Sequence, residues 1–310
     1  MNSRPLQTCL ITGPTAVGKS AVALALARRL GAEIVSVDSM QVYRGLDIGT
    51  GKPSAADRLG VPHHLLDVVG LDASFDAAQF TECARAAVRE IHRRGRVALL
   101  VGGTGLYFKA FLAGLGQAPP ADARLRATLE AMPIETLLSE LASRDPAAYA
   151  RIDRRNRRRI VRAVEVIRLT GRPFSAQQAV WTAGPAGGGD PRWPPAFCLT
   201  RAPEDLRGRI HARIDAMIAE GWVDETRRLL GAGLEQNRFV MQAIGYAELK
   251  DHLRGRCTIE EAVAVIRRRT WQYARRQMTW FRHQLPVEWV FLAPTADPQA
   301  VAADLAGRLG

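Results

Sequence analysis

The sequence holds little that suits an oxidising compartment or a membrane. Its four cysteines, at positions 9, 83, 198 and 257, are scattered and form no CxxC pair. That excludes a zinc ribbon and a disulfide framework and fits a reducing cytosol. No apolar run approaches the roughly 18 residues of a membrane span. The short run in "MNSRPLQTCLITG" leads directly into a glycine-rich loop, so it reads as a first strand and not as a signal peptide. Acidic charge is also scarce, with 31 Asp and Glu against 43 Lys and Arg, a formal net charge of +12. Such an excess favours a polyanionic partner, nucleic acid ahead of a membrane surface. A genomic preference for arginine would explain which cation is used, but not the positive sum.

What is present is enough for a sizeable core. The chain has 310 residues and is 47% hydrophobic, a length above the usual single-domain range. Residues 7–12, "AEIVSVDS" (32–39) and "VALLVGGTG" (97–105) read as buried strands. Between them lie a helix from Ser20 to Leu30 closed by Gly31, and an amphipathic helix over 74–95 with a Ser start and a Gly stop. This alternation predicts an α/β fold, a parallel sheet with helices on both faces. Ligands of such sheets bind outside the carboxyl ends of the strands. The polar ends Gly13–Ser20, Asp38–Gln41 and Gly102–Gly105 should therefore meet in one cleft.

From about 119 the texture becomes helical, and "TAGPAGGGDPRWPP" (182–195) reads as a linker. "AFCLT" (196–200) resumes the strands. Helices are expected over 203–220, 222–232 and 258–284, and a last strand over 287–292. Strands on both sides of the block predict a core made of 1–118 and 196–310, with 119–195 a helical insertion.

"GPTAVGKS" (13–20) matches the phosphate-cradling pattern G-x4-G-K-[ST], with the required strand before it and helix after it. Gly13 and Gly18 let the backbone wrap a phosphate, Lys19 adds a point charge, and the Ser20 hydroxyl suits Mg²⁺. Asp38 ends the second strand, where a carboxylate serves as metal ligand, general base or turn cap. Thr104 lies in "GGTGLY", whose glycines bring backbone close to a ligand.

Two stretches carry much of the positive charge. "RIDRRNRRRIVRAVEVIRLTGR" (151–172) contains nine arginines. Ile160, Ala163, Val164 and Ile167 share one helical face, and Arg155, Arg158, Arg159 and Arg162 the other. Only Asp153 and Glu165 offset them, so a phosphate backbone is the favoured counter-charge over a merely solvated face. "IRRRTWQYARRQMTWFRHQ" (266–284) interleaves arginine with Trp271, Tyr273, Trp280 and Phe281, a pattern suited to stacking on unpaired RNA bases. For Trp271 and Trp280, packing on the sheet is the simpler expectation. Thr258 and Glu261 form a capping box. "QAIGYAEL" (242–249) reads as a helix with a costly internal glycine.

Together with "VDSMQVYRGLDIGTGKP" (37–53), "PHHLLD" (62–67), "VGGTGLYFKAFLAGL" (101–115), "RRIVRAVEVIRLTGRP" (158–173) and "RRQMTWFRHQ" (275–284), these motifs closely resemble, in order, those of the bacterial tRNA dimethylallyltransferases. The similarity runs over roughly 7–285. Val17, where Ser is frequent, and an expanded linker at 183–191 depart from commoner family spellings. The resemblance implies a P-loop NTPase-like core whose loop (Gly13, Pro14, Thr15, Ala16, Val17, Gly18, Lys19, Ser20) binds the pyrophosphate of dimethylallyl diphosphate and not ATP. It implies alkylation of the N6 amine of the adenosine immediately 3′ of the anticodon, with Asp38 as base, Mg²⁺ on Ser20, Thr104 near the bridging oxygen and Arg213 at the diphosphate. Gln41 would help hold the base. The anticodon stem-loop would meet Asp38, Ser39, Met40, Gln41 and Thr104, then Arg126, Arg158, Arg159, Ile160, Val161 and Arg162. It would also meet Gln242, Ala243, Ile244, Gly245, Tyr246 and Ala247, and Arg275, Arg276, Gln277, Met278, Thr279, Trp280, Phe281 and Arg282. A monomer in the cytoplasm is implied too.

Two rivals share the loop. A nucleotide or small-metabolite kinase would not need the arginine-rich insertion. A nucleic-acid-dependent ATPase would want a strand-end Asp on a later strand, and among the expected strands only 32–39 ends in Asp.

Overall fold

The computed structural model describes residues 8–178 and 193–309, so nearly all of the expected linker lies outside the described residues. The described chain divides into two compact units, one within Met1–Leu112 and Ala183–Gly310, the other within Ala113–Thr182. The strands are β1 (Thr8–Thr12), β2 (Glu33–Val37), β3 (His63–His64), β4 (Ala98–Gly102), β5 (Ala196–Thr200) and β6 (Glu288–Phe291). The helices up to the end of the second unit are α1 (Lys19–Leu30), α2 (Ala55–Gly60), α3 (Ala77–Arg93), α4 (Gly105–Ala113), α5 (Ala123–Ala131), α6 (Ile134–Arg144), α7 (Pro146–Arg151) and α8 (Arg157–Thr170). Then follow α9 (Pro203–Ala219), α10 (Trp222–Gly231), α11 (Tyr246–Leu253), α12 (Ile259–Gln284) and α13 (Pro298–Leu309).

In the first unit all strands pair in parallel, in the order β3-β2-β4-β1-β5-β6. Every residue of β2 and β4 is buried, so neither strand alternates apolar with polar; the two polar residues of β2 are paired, Glu33 with Arg94 and Ser36 with Gln41. Because β2, β4 and β1 are parallel neighbours, the loops that follow them lie together at the carboxyl ends of the strands. No helix among the described residues is long and apolar enough to cross a membrane.

Local capping chemistry decides the helix ends. α3 starts at Asp76 and not at Ser74, because Asp76 accepts from two first-turn amides while Gln79 reaches back to the Asp76 amide. α12 opens on the Thr258–Glu261 capping box expected from spacing. "QAIGYAEL" corrects its sequence reading. Gly245 is not internal to a helix; it precedes α11 with φ 109°. A Cβ there would lie 2.0 Å from the Trp222 ring, so the glycine serves both the backbone angle and the close approach.

The second unit has its own core of Leu129, Leu137, Leu141, Ala148, Ile160, Val161, Ala163, Val164 and Ile167. α8 supplies five of these as one apolar stripe, each fully buried aliphatic contributing roughly 1.5–3 kcal/mol. Asn156 caps α8 by accepting from the Arg159 amide. Arg155 therefore lies before the helix and is not part of its charged face.

Candidate active site

The phosphate loop takes its shape from three residues of positive φ, Gly13 (142°), Ala16 (64°) and Gly18 (109°). Gly13 also has no room for a side chain, since a Cβ would lie 2.5 Å from the Leu199 carbonyl oxygen. α1 begins after Gly18 with no side-chain cap, leaving first-turn amides turned toward the loop. The outer face is braced by arginines the sequence reading missed. Arg209 Nε donates to the Ala16 carbonyl at 3.0 Å, and Arg201 Nε to that of Val17 at 2.8 Å. On the inner side Lys19 Nζ donates to the carbonyls of Gly13 (3.0 Å) and Pro14 (2.8 Å).

A cavity of about 420 Å³ opens beside the loop. Its wall includes Thr15, Lys19, Ser20, Asp38, Gln41, Gly102, Gly103, Arg213, Tyr273 and Gln277, so residues from all three polar strand ends meet there. Burial, with the Arg213 charge adding to it, lowers Lys19 to about 8 against the pull of Asp38. Burial likewise lowers Arg213, again opposed by Asp38. Tyr273 is raised by burial and by the Asp38 carboxylate. Two cations and one carboxylate thus share a half-buried wall, a field that favours a multiply charged anion with a proton acceptor beside it.

Asp38 uses one oxygen structurally and keeps the other available. Oδ1 accepts from the amides of Met40 (2.8 Å) and Gln41 (3.3 Å), an Asx turn. Oδ2 takes no hydrogen bond from the described residues. Thr104 sits just past Gly103, and its hydroxyl accepts from the Ser39 amide at 3.2 Å. Gln41 is more committed than a base-holding role requires. Its Oε1 accepts from Ser36 Oγ (2.9 Å), and its Nε2 donates to the carbonyls of Thr50 (3.2 Å) and Gly51 (3.3 Å). Both amide hydrogens are in use, so a bound base would meet only a lone pair.

Gln277 is buried on α12 and bridges two glycine loops. Its Oε1 accepts from the Thr15 amide and its Nε2 donates to the Gly103 carbonyl, each at 2.9 Å. Gly103 cannot carry a side chain, because a Cβ would lie 2.3 Å from that Nε2. Trp280 packs the same way on Gly105, 2.2 Å from where a Cβ would sit. Gln277 and Phe281 therefore point inward, whereas Arg275, Arg276, Thr279 and Arg282 are exposed. Gln272, Arg275, Arg276, Thr279, Trp280 and His283 line a shallow basic depression on this helix. Trp271 lies under Arg207, 4.8 Å from guanidinium to ring centre. Of the 242–247 segment Gln242 is exposed, while Gly245 and Tyr246 are buried.

In the second unit the expected RNA-facing residues separate into two kinds. Ile160 and Val161 are core, with their side chains buried. Arg126 and Arg162 both pair with the fully buried Glu165, at 2.6 and 2.8 Å. Those two arginines neutralise an internal carboxylate. Arg158 and Arg159 lie exposed at the start of α8.

Fold and cleft together define a phosphate-loop protein of the parallel α/β class, with a lysine, an arginine and a carboxylate on one cavity wall at the carboxyl ends of its strands. Residues 41–284 match the family model described as IPP transferase, and the chain belongs to that family. It is 47% identical over 289 residues to a tRNA dimethylallyltransferase of Geobacter metallireducens, covering 91% of each chain. It is 38% identical to a tRNA isopentenylpyrophosphate transferase of Bacillus halodurans of known structure, with a TM-score of 0.69 over 98% of this chain and 96% of that one. A eukaryotic dimethylallyltransferase acting on tRNA superposes with a TM-score of 0.78 at 26% identity, over 97% of this chain and 77% of that one.

Proposed function

We propose that the cleft transfers a dimethylallyl group from dimethylallyl diphosphate to the N6 amine of the adenosine immediately 3′ of a tRNA anticodon, releasing pyrophosphate. The observation that carries the reading is Asp38. Its Oδ2 has no partner among the described residues, and its carboxylate stands on the same cavity wall as Lys19 and Arg213. In the reaction the carbon–oxygen bond of the diphosphate ester breaks and a carbon–nitrogen bond forms. The amine proton passes to Asp38 Oδ2, and the negative charge stays with pyrophosphate. Lys19 and Arg213 neutralise that charge as it grows. The Thr104 hydroxyl, already accepting from Ser39, has its own hydrogen left for the bridging oxygen or the incoming amine.

The residues fit a magnesium ion. Ser20 lines the cavity at the end of the phosphate loop, where a Ser or Thr hydroxyl together with substrate phosphates would hold Mg²⁺. Bound there, it would add Lewis-acid stabilisation of the leaving pyrophosphate. The adenine must leave its stack to reach Asp38, at a cost of roughly a few kcal/mol, and exposed arginines of the kind found on α8 and on α12 suit a phosphate backbone. A monomer working in the cytoplasm follows from the resemblance.

The test is single-turnover transfer to an anticodon stem-loop by Asp38→Asn, across a magnesium titration and with ATP as a control donor. A loss of roughly 10²–10⁴ in rate is expected for a positioned proton acceptor, with the magnesium midpoint unmoved. Recovery of the wild-type rate at high magnesium would make Asp38 a metal ligand. ADP formation from ATP without prenyl transfer would make the protein an ATPase if free phosphate appears with it and a kinase if the phosphoryl group passes to an acceptor.

A further inference from the structure

Glu225, on α10, is only 5% exposed, yet the chemistry above gives it no part. Its Oε2 accepts from the backbone amides of Asp47 (3.0 Å) and Ile48 (2.7 Å). Its Oε1 accepts from the Gly49 amide (3.0 Å) and the Tyr246 hydroxyl (2.9 Å). Four donors on one carboxylate compensate its burial, and bonds to an ionised acceptor are roughly twice as strong as neutral ones. They hold the 47–49 segment against α10, where Gly49 leaves no room for a side chain: a Cβ would lie 2.1 Å from Trp222 Nε1.

The next two residues reach the cleft. Thr50 and Gly51 present the carbonyls that take both amide hydrogens of Gln41. Gly51, at φ 59°, faces Arg213 so closely that a Cβ would lie 2.0 Å from a guanidinium nitrogen. The turn is thus the seat of two cavity-wall side chains; it is closed internally by the Gly51 amide on the Ile48 carbonyl and the Lys52 amide on that of Asp47, and Glu225 is what anchors it to α10.

We propose that Glu225 is a positioning residue for the diphosphate site, holding the 47–51 turn so that Arg213 and Gln41 keep their places on the cavity wall. The proposal rests on the reading of this cleft as a prenyl diphosphate site. Glu225→Gln is isosteric but turns an amide group toward three backbone donors, so at least one donor loses its acceptor and the turn shifts.

The experiment measures pyrophosphate affinity by calorimetry with magnesium, single-turnover prenyl transfer to a stem-loop, and thermal melting, for wild type, Glu225→Gln and Tyr246→Phe. Glu225→Gln should weaken pyrophosphate about tenfold or more and slow transfer by a further factor, with stem-loop affinity within about threefold of wild type. Tyr246→Phe, which removes one donor and keeps the three backbone ones, should weaken pyrophosphate by only about threefold. A folded Glu225→Gln protein with unchanged pyrophosphate affinity and rate overturns the proposal. If that variant does not fold, unchanged pyrophosphate affinity in Tyr246→Phe overturns it instead. Wild-type protein that binds pyrophosphate but transfers no prenyl group would sink the functional reading while the calorimetry still decides the role of Glu225.

Discussion

On the proposed reading of the cleft, Lys19 should make diphosphate binding depend on pH. Burial and the neighbouring Arg213 lower its ammonium to about 8. The charged form therefore dominates below that value and is lost above it. About nine-tenths of the ligand-free protein carries the charge at pH 7 and about one-tenth at pH 9. Two of the three ammonium hydrogens go to the Gly13 and Pro14 carbonyls, which leaves one for a phosphate oxygen. A charge-assisted bond of this kind is worth about 1.5–3 kcal/mol, or about 10–150-fold in affinity. Lys19→Met should lose that factor at pH 7. The wild-type advantage over Lys19→Met should then shrink about tenfold between pH 7 and pH 9, as the free protein must take up a proton to bind. Titration of pyrophosphate itself is common to both proteins and cancels in the ratio. Calorimetry across that range is the assay, and a ratio independent of pH would refute the argument.

Gln277→Leu leaves the Thr15 amide and the Gly103 carbonyl without partners, each costing about 1–3 kcal/mol. Its melting temperature should fall and pyrophosphate affinity should drop with it, while filter binding of a stem-loop weakens far less. Removing both Arg126 and Arg162 strands the buried Glu165 charge, a loss of about 3–5 kcal/mol. Hydrogen exchange should report it as early opening of α5 and α8. Replacing Arg158 and Arg159 with Ala should lower the log–log salt slope of tRNA binding by roughly 0.7–0.9 per lost phosphate contact, and an unchanged slope would return those arginines to the solvated surface.

The parts of this molecule legible in the sequence are those encoded by neighbours. The strands β1, β2 and β4 are short apolar runs, and the phosphate loop announces itself through Gly13, Gly18 and Lys19. The Thr258–Glu261 cap is likewise local. β3 was not legible, because His63 and His64 join the sheet through backbone pairing with Ile34 and Val35 and carry no apolar signature. Gly245 misleads in the other direction, since an apolar period continues through a residue that in fact precedes the helix. The cleft's supports were hidden for a different reason. Glu225 meets its amides 178 residues back in the chain, and Gln277 meets Thr15 across 262. Within the arginine-rich run of α12 nothing local distinguishes the inward Gln277 from its exposed neighbours Arg275 and Arg276. The paired state of Arg126 and Arg162 is equally a tertiary fact, because periodicity places Glu165 near Arg162 alone and cannot bury it or bring Arg126 to it from α5.

The strand order also sets a timetable for the growing chain. β1 takes β4 on one side and β5 on the other, and the entire helical unit is translated between those two partners. α1, buried through Val22, Ala23, Ala25, Leu26 and Ala27, packs against α13, which leaves the ribosome later still. A nascent chain thus carries an open central strand, and a helix covered only on its sheet side, through most of its synthesis, the condition in which partly made proteins stick to one another. Premature termination anywhere before α13 would release that surface permanently. Production of this protein in quantity should therefore respond more to chaperone supply and elongation rate than the stability of the finished fold would suggest.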